Sequence, residues 1–227
     1  MTFQNKQIYL DYNATCPQLS QVTTAMQDVT ETAFGNPSSL HWAGRNARRK
    51  LDDARDTIAN YFAAEAGSVV FTSGGTESNN MVIQGVVAEA ESGHIVLSAI
   101  EHPAVLQAIE QWCARYPAWT YTMVKPDKDG RIDRQTFMAA CQDNTKLACL
   151  MWVNNETGVI QPVFEVGASC RDQGIPFFVD AVQALGKLNI NLQQLDADFV
   201  SFSAHKIGGP RGVGALIMRR GAKLASL

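Results

Sequence analysis

The sequence predicts an α/β protein: a mainly parallel sheet covered by helices on both faces. Three observations predict it. Short apolar runs alternate with segments whose apolar residues recur at helical spacing, which implies right-handed crossovers between parallel strands. The 227 residues are 46% apolar, enough to build one large core. The last two apolar runs are joined by only a short glycine-rich turn, so they are expected as an antiparallel pair.

The elements follow in order. Ile8-Tyr9-Leu10 reads as a short strand running into the polar loop Asp11-Tyr12-Asn13-Ala14-Thr15. Leu19, Val22, Met26 and Val29 mark a helix. Residues 34–41 are turn chemistry throughout. From Trp42 a long amphipathic helix carries Ala43, Ala47, Leu51, Ala54, Ile58 and Phe62 on one side. Arg45, Arg48, Arg49 and Lys50 lie on the other, and read as a solvated face. Beyond it, strands are expected at 69–71, 95–97, 120–124, 147–153, 177–179 and 198–203, with a partner at 213–218. Helices are expected around Met81, Val105, Phe137 and Val163–Cys170.

Composition excludes several functions. The net charge is −3 and no basic stripe occurs, so nucleic acid is not an expected partner. No apolar run reaches membrane-spanning length, and residues 1–6 do not open a signal peptide. The five cysteines, Cys16, Cys113, Cys141, Cys149 and Cys170, show no metal-ligand spacing. They fit structural thiols in a reducing cytoplasm, and no metal site is expected.

Polar residues gather where strands end, which is where open α/β sheets bind ligands. Thr72-Ser73-Gly74-Gly75-Thr76 joins a strand to a helix start through glycine, the design of a phosphate cradle. It is neither a P-loop nor a G-x-G-x-x-G turn. His102 follows a strand and precedes a helix begun by Pro103. Asn155 sits in Asn154-Asn155-Glu156-Thr157-Gly158 at another strand end. Asp180 closes an apolar strand, where an ionised carboxylate needs a partner, and Gln183 is expected one helical turn further on. Ser203, His205 and Lys206 leave the strand that starts near Asp198. A desolvated lysine there becomes a usable amine nucleophile. Pyridoxal phosphate fits this set: a cradle for its phosphate, a histidine for its ring, an aspartate for its pyridine nitrogen and a lysine for its aldehyde.

The stretch Ser201-Phe202-Ser203-Ala204-His205-Lys206-Ile207-Gly208-Gly209-Pro210 strongly resembles the cofactor-lysine motif of cysteine desulfurases, within the class V aminotransferases. The segments around Asp11, Asn36, Gly74, His102, Asn155 and Asp180 resemble the same family and stand in its order. The resemblance implies that Lys206 is the Schiff-base lysine and that Asp180 pairs with the pyridine nitrogen. It implies that Asn155 and Gln183 surround the ring hydroxyl and substrate. Thr76, Ser203, His205 and the Gly75 backbone are then phosphate ligands, and His102 stacks on the ring and moves protons. Residues 1–15 are expected as an N-terminal segment and 16–227 as an incomplete cofactor-binding large domain. By resemblance, the thiol that takes sulfur from L-cysteine and the smaller C-terminal domain lie beyond Leu227, so the chain alone is expected to be inactive. A sulfur-acceptor protein and a homodimer of the full-length form complete the expected partners. A selenocysteine lyase, an aminotransferase or a non-catalytic binding homologue are the alternatives.

Overall fold

A computed structural model describes residues 7–225; the signal-peptide reading of residues 1–6 lies outside them. One seven-stranded sheet forms the centre, in the order β1-β7-β6-β5-β4-β2-β3. Its strands are β1 (Val69–Thr72), β2 (Gly93–Ser98), β3 (Trp119–Val124), β4 (Thr145–Cys149), β5 (Phe177–Asp180), β6 (Phe199–Ser203) and β7 (Gly214–Met218). The pairs from β6 to β3 are all parallel. β7 runs antiparallel to both its neighbours, β6 and β1. The expected hairpin is therefore present. Its second strand also carries β1, a pairing the sequence does not announce.

The helices are α1 (Ser20–Thr32), α2 (Trp42–Tyr61), α3 (Gly75–Ala88), α4 (Pro103–Arg115), α5 (Arg134–Ala139) and α6 (Val163–Asp172). Strand residues alternate between the two faces. Val179, Val200 and Ile217 pack with Ala59 and Phe62, at the end of α2, and with Phe137 and Val166 of α5 and α6. Phe178, Phe199 and Leu216 pack with Val82, Ile83, Val105 and Ile109 of α3 and α4. Both faces are thus covered, as expected.

The crossovers after β2 and β4 go to opposite faces, α4 to one and α6 to the other. A crevice opens between the ends of those two strands, the usual ligand position in such sheets. Glu101 Oε1 bridges the crevice floor by accepting hydrogen bonds from Met151 N (2.7 Å) and Ser98 Oγ.

Three local expectations differ. Residues 8–10 form no strand, and Ile8 and Leu10 are 79% and 85% exposed. The segment runs to the strand exits rather than along a sheet edge, where Cys16 N donates to His205 O and Leu19 N to Gly208 O. The strand expected to reach Val153 ends at Cys149. Leu150 N and Trp152 N still donate to β5 carbonyls, but the Asn154 side chain then turns the chain by accepting from Glu156 N and Thr157 N. Residues 181–187 form successive turns rather than a helix, although Leu185 N does bond Ala181 O.

Candidate functional site

A cavity of about 290 Å³ lies at the strand exits. Each of the nine candidate residues lines it: Gly75, Thr76, His102, Asn155, Asp180, Gln183, Ser203, His205 and Lys206. They come from five exits that the parallel arrangement brings to one end of the sheet.

The cradle is built by close backbone approach. Gly74 caps α3 with φ of 155°, a conformation that favours glycine. A Cβ on Gly75 would lie 2.7 Å from Val182 Cγ2, and one on Gly214 would lie 2.5 Å from Gly74 Cα. Side chains at 75 and 214 are therefore excluded, and α3 begins flush against β6 and β7. Glu77 accepts from Ser73 N, and hydrogen bonding from the Ser73 hydroxyl, then from its amide, holds the carboxyl below the ordinary range. The first amides of α3 face the cavity with the positive end of the helix dipole behind them.

Asp180 is 5% exposed. It accepts from Asn79 Nδ2 (2.8 Å) and Val182 N (3.0 Å). Burial nevertheless pushes its pKa up, against those bonds and the more distant charges of His102 and Lys206. A buried carboxylate still short of positive charge is suited to a cationic N–H in the cavity. The neighbouring Asn79 Oδ1 is buried and has no hydrogen-bond partner among the described residues.

Lys206 lies in a short turn after β6, with Nζ donating to Asn13 O (2.7 Å) and Ala14 O (3.0 Å). Burial lowers its pKa, and the positive charge of Lys187 adds to that. Asp180, Asp11 and Cys16 oppose the shift. His205 Nδ1 meets Thr15 Oγ1 at 3.1 Å, and burial holds the ring's pKa down. His102 caps α4, where its Nδ1 accepts from Ala104 N (3.1 Å), so its Nε2 is left for other partners. Asn155 Nδ2 donates to Glu156 Oε1 (2.7 Å). Gln183 Nε2 donates to Asn13 O (3.0 Å).

Sequence reasoning missed Asn13 and Asn79, which line the cavity, and Glu101, which bonds Met151 beside it. Asn13 acts through its backbone carbonyl, which residue type does not reveal. Asn79 reads as one more polar residue in a helix start, and only the fold sets it against Asp180. Glu101 is 4% exposed and pushed up to about 8, chiefly by burial, with the charge of Asp180 adding to it. A glutamate between a buried strand and a proline is its only signal.

A scan along the sequence matches the family described as "Aminotransferase class-V" over residues 8–226. The chain belongs to the class-V aminotransferase family. Similar curated proteins include two described as cysteine desulfurase IscS. That of Dictyoglomus turgidum is 39% identical over 98% of this chain, and that of Dechloromonas aromatica 43% identical over 94%. These alignments cover 56% and 53% of the two relatives, so the chain spans about half the length of the curated relatives it matches. Among solved structures, one described as "SspA in complex with cysteine" superposes with a TM-score of 0.91 at 35% identity, covering 97% of this chain and 64% of that one. A "NifS-like protein" gives 0.93 at 32% identity, covering 98% and 61%. The α/β unit read from the sequence is thus matched along nearly its whole length. Among the described residues, no helix is long and apolar enough to cross a membrane.

Proposed function

We propose that this chain is the cofactor-binding part of a pyridoxal-phosphate-dependent cysteine desulfurase. The observation that carries the reading is the convergence of Lys206 and the buried, cation-poor Asp180 on one cavity beside a glycine cradle. The relatives named cysteine desulfurase, and the neighbour solved with cysteine, favour L-cysteine as substrate.

The residues fit the cofactor. The α3 amides, Thr76, Ser203 and His205 would hold the phosphate, and Asp180 would keep the ring nitrogen protonated. Asn155 and Gln183 would serve the ring oxygen, His102 would cover the ring, and Lys206 would hold the group covalently. Once bound, the cofactor supplies an electron sink for labilising bonds at the substrate α-carbon. The protein's own tasks are distinct. Asp180 would keep a negative charge against the ring, and the cradle would fix the phosphate. The lowered pKa of Lys206 makes its free amine available both as nucleophile and as proton acceptor. His102, exposed at the cavity rim with Nε2 free of its cap bond, can carry a proton between substrate and solvent.

No cysteine lines the cavity. Burial raises the pKa of Cys113, Cys141 and Cys149, and pushes Cys170 to about 12, so these remain protonated thiols. Cys16 Sγ donates to Lys206 O (3.1 Å), a structural bond. The sulfur-accepting thiolate is therefore assigned to the part of the family not spanned by this chain, as are the small domain and the contacts with a sulfur-acceptor protein. Residues 16–227 act as the large domain, and the full-length form works as a cytoplasmic homodimer. Exposed Ile8, Leu10, Phe34, Leu40 and Trp42 are consistent with surface that further protein covers.

The test is borohydride reduction of the chain incubated with pyridoxal phosphate, followed by peptide mapping. The expected adduct is on Lys206 and is lost in Lys206→Ala; an adduct mapped to another lysine would overturn the assignment. With L-cysteine and dithiothreitol, the chain alone should release no more sulfide than free cofactor does. Turnover that depends on Lys206 would show that a resident thiol accepts sulfur.

A further inference from the structure

We propose that Lys187 is a positioning residue that fixes which way round the Gln183 amide sits, and thereby makes the cavity select a ligand with an acceptor oxygen at that point. The inference rests on the cofactor reading above.

Gln183 is 6% exposed, so its amide must find partners inside the protein. The two ends of the amide have nearly the same shape and opposite hydrogen-bonding character. Here both ends are committed. Nε2 donates to the carbonyl oxygen of Asn13 at 3.0 Å, and Oε1 accepts from the Lys187 ammonium. Reversed, the amide would set its NH2 against an ammonium and its oxygen against a carbonyl, two repulsive contacts in place of two bonds. A carbonyl alone would bias the orientation; the added cation makes the bond at Oε1 charge-assisted. Gln183 lines the cavity, and its remaining N–H is the group it can offer a ligand. An oxygen that accepts, such as a deprotonated ring hydroxyl, is favoured there over a C–H.

The same carbonyl ties this unit to the nucleophile. Asn13 O also accepts from Lys206 Nζ at 2.7 Å. Lys187, Gln183, Asn13 and Lys206 therefore form one hydrogen-bonded chain that runs into the cavity wall at Gln183. The charged and titratable groups facing Lys206 are Lys187, Asp180, Asp11 and Cys16, with His205 adjacent in sequence. Of these, Lys187 is the cation that lowers the Lys206 pKa, while Asp180, Asp11 and Cys16 raise it. Removing Lys187 thus loosens the amide and also takes positive charge away from the reactive amine.

The experiment compares the chain with Lys187→Met and Lys187→Arg in two readouts. The first is the affinity ratio for pyridoxal phosphate over its 3-deoxy analogue, which lacks the ring oxygen. Lys187→Met is expected to reduce that ratio about tenfold, the weight of one charge-assisted hydrogen bond, and Lys187→Arg to restore it. The second readout needs no cofactor: the pH midpoint for acetylation of Lys206 by limiting acetic anhydride, followed by mass spectrometry. It is expected to move upward in Lys187→Met and return in Lys187→Arg. An unchanged ratio in a variant that still binds cofactor overturns the inference and leaves the function intact. If the parent chain binds neither ligand, the cofactor reading fails instead, and an unmoved acetylation midpoint then overturns the inference as well.

Discussion

The cavity has two walls of different make. One is borne by the sheet: Asp180 and Ser203 stand at strand exits, each at most 5% exposed and each set by strand register, Asp180 opposite Ser201 and Ser203 opposite Gly214. The other is borne by the segment before α1, where Asn13 and Ala14 present carbonyls to Lys206 from exposed, irregular backbone. α1 itself has no buried residue. The sheet wall is held by packing on both faces and would persist with the segment removed. The segment wall is held by a handful of hydrogen bonds, from Cys16 N, Leu19 N, Gln183 and Lys206. Charge-bearing groups that must not move are placed on the first wall, and groups that grip a mobile amine on the second.

The largest expected effect tests that contrast directly. Phe178 is fully buried in β5, so Phe178→Ala should cost about 3–5 kcal/mol in a urea titration. Leu10→Ala, in a residue 85% exposed, should stay within about 0.5 kcal/mol. Comparable losses at the two sites would mean that the segment is packed as firmly as the sheet.

The next effect separates two ends of the sheet by pH. Glu101, at the exits, has a folded pKa of about 8, above its unfolded value. The folded state then binds the extra proton, so stability falls as pH rises between roughly 4.5 and 8, by a limit on the order of 5 kcal/mol. Glu101→Gln should recover about 2 kcal/mol of this above pH 8, since its oxygen can still accept from Met151 N while its amide needs added room. His94 lies at the entry of β2, fully buried between Thr145 Oγ1 and Thr122 Oγ1, each at 2.9 Å. Burial depresses its pKa, so the unfolded chain binds the proton first, and stability falls as pH drops below about 6.5. Denaturation midpoints across pH should show both slopes. A Glu101→Gln profile parallel to the parent's above pH 6 would remove Glu101 as the source of the alkaline slope.

The smallest effect concerns Cys16. Its thiol donates to Lys206 O, a bond that a hydroxyl also makes, so Cys16→Ser should change stability by no more than about 0.5 kcal/mol. It should also leave the yield of borohydride-fixed cofactor unchanged. A collapse in that yield would give the thiol a chemical role.

How much was legible follows the same division. Strand exits announce themselves because an aspartate or lysine next to an apolar run is costly unless it has a task, and Asp180 and Lys206 were read that way. Gly74 and Gly214 are visible as glycines, but that they touch across β1 and β7 is a tertiary fact. Residues 8–10 read as a strand because Ile8, Tyr9 and Leu10 have strand chemistry. Sequence cannot show that no neighbouring backbone is there to pair with them. The Lys187–Gln183 contact depends on the turns at 182–187, where the sequence suggests a helical turn after Asp180.

The position of β7 has a consequence for the order of assembly. β1, the strand that carries the cradle, pairs with no strand near it in sequence; its ladder is to β7, with Val69 opposite Ile217 and Thr72 opposite Gly214. Such a distant closure is slow to form, because the intervening loop entropy must be overcome before the contact stabilises anything. On the ribosome, the strands from β2 to β6 can be made and stacked, with α3 packed on α4 and the sheet, while β1 remains an unpaired edge. The cradle snaps into register only when residues 214–218 have emerged. The glycine turn at the cavity is therefore encoded early and completed late, when Gly214 closes against Gly74.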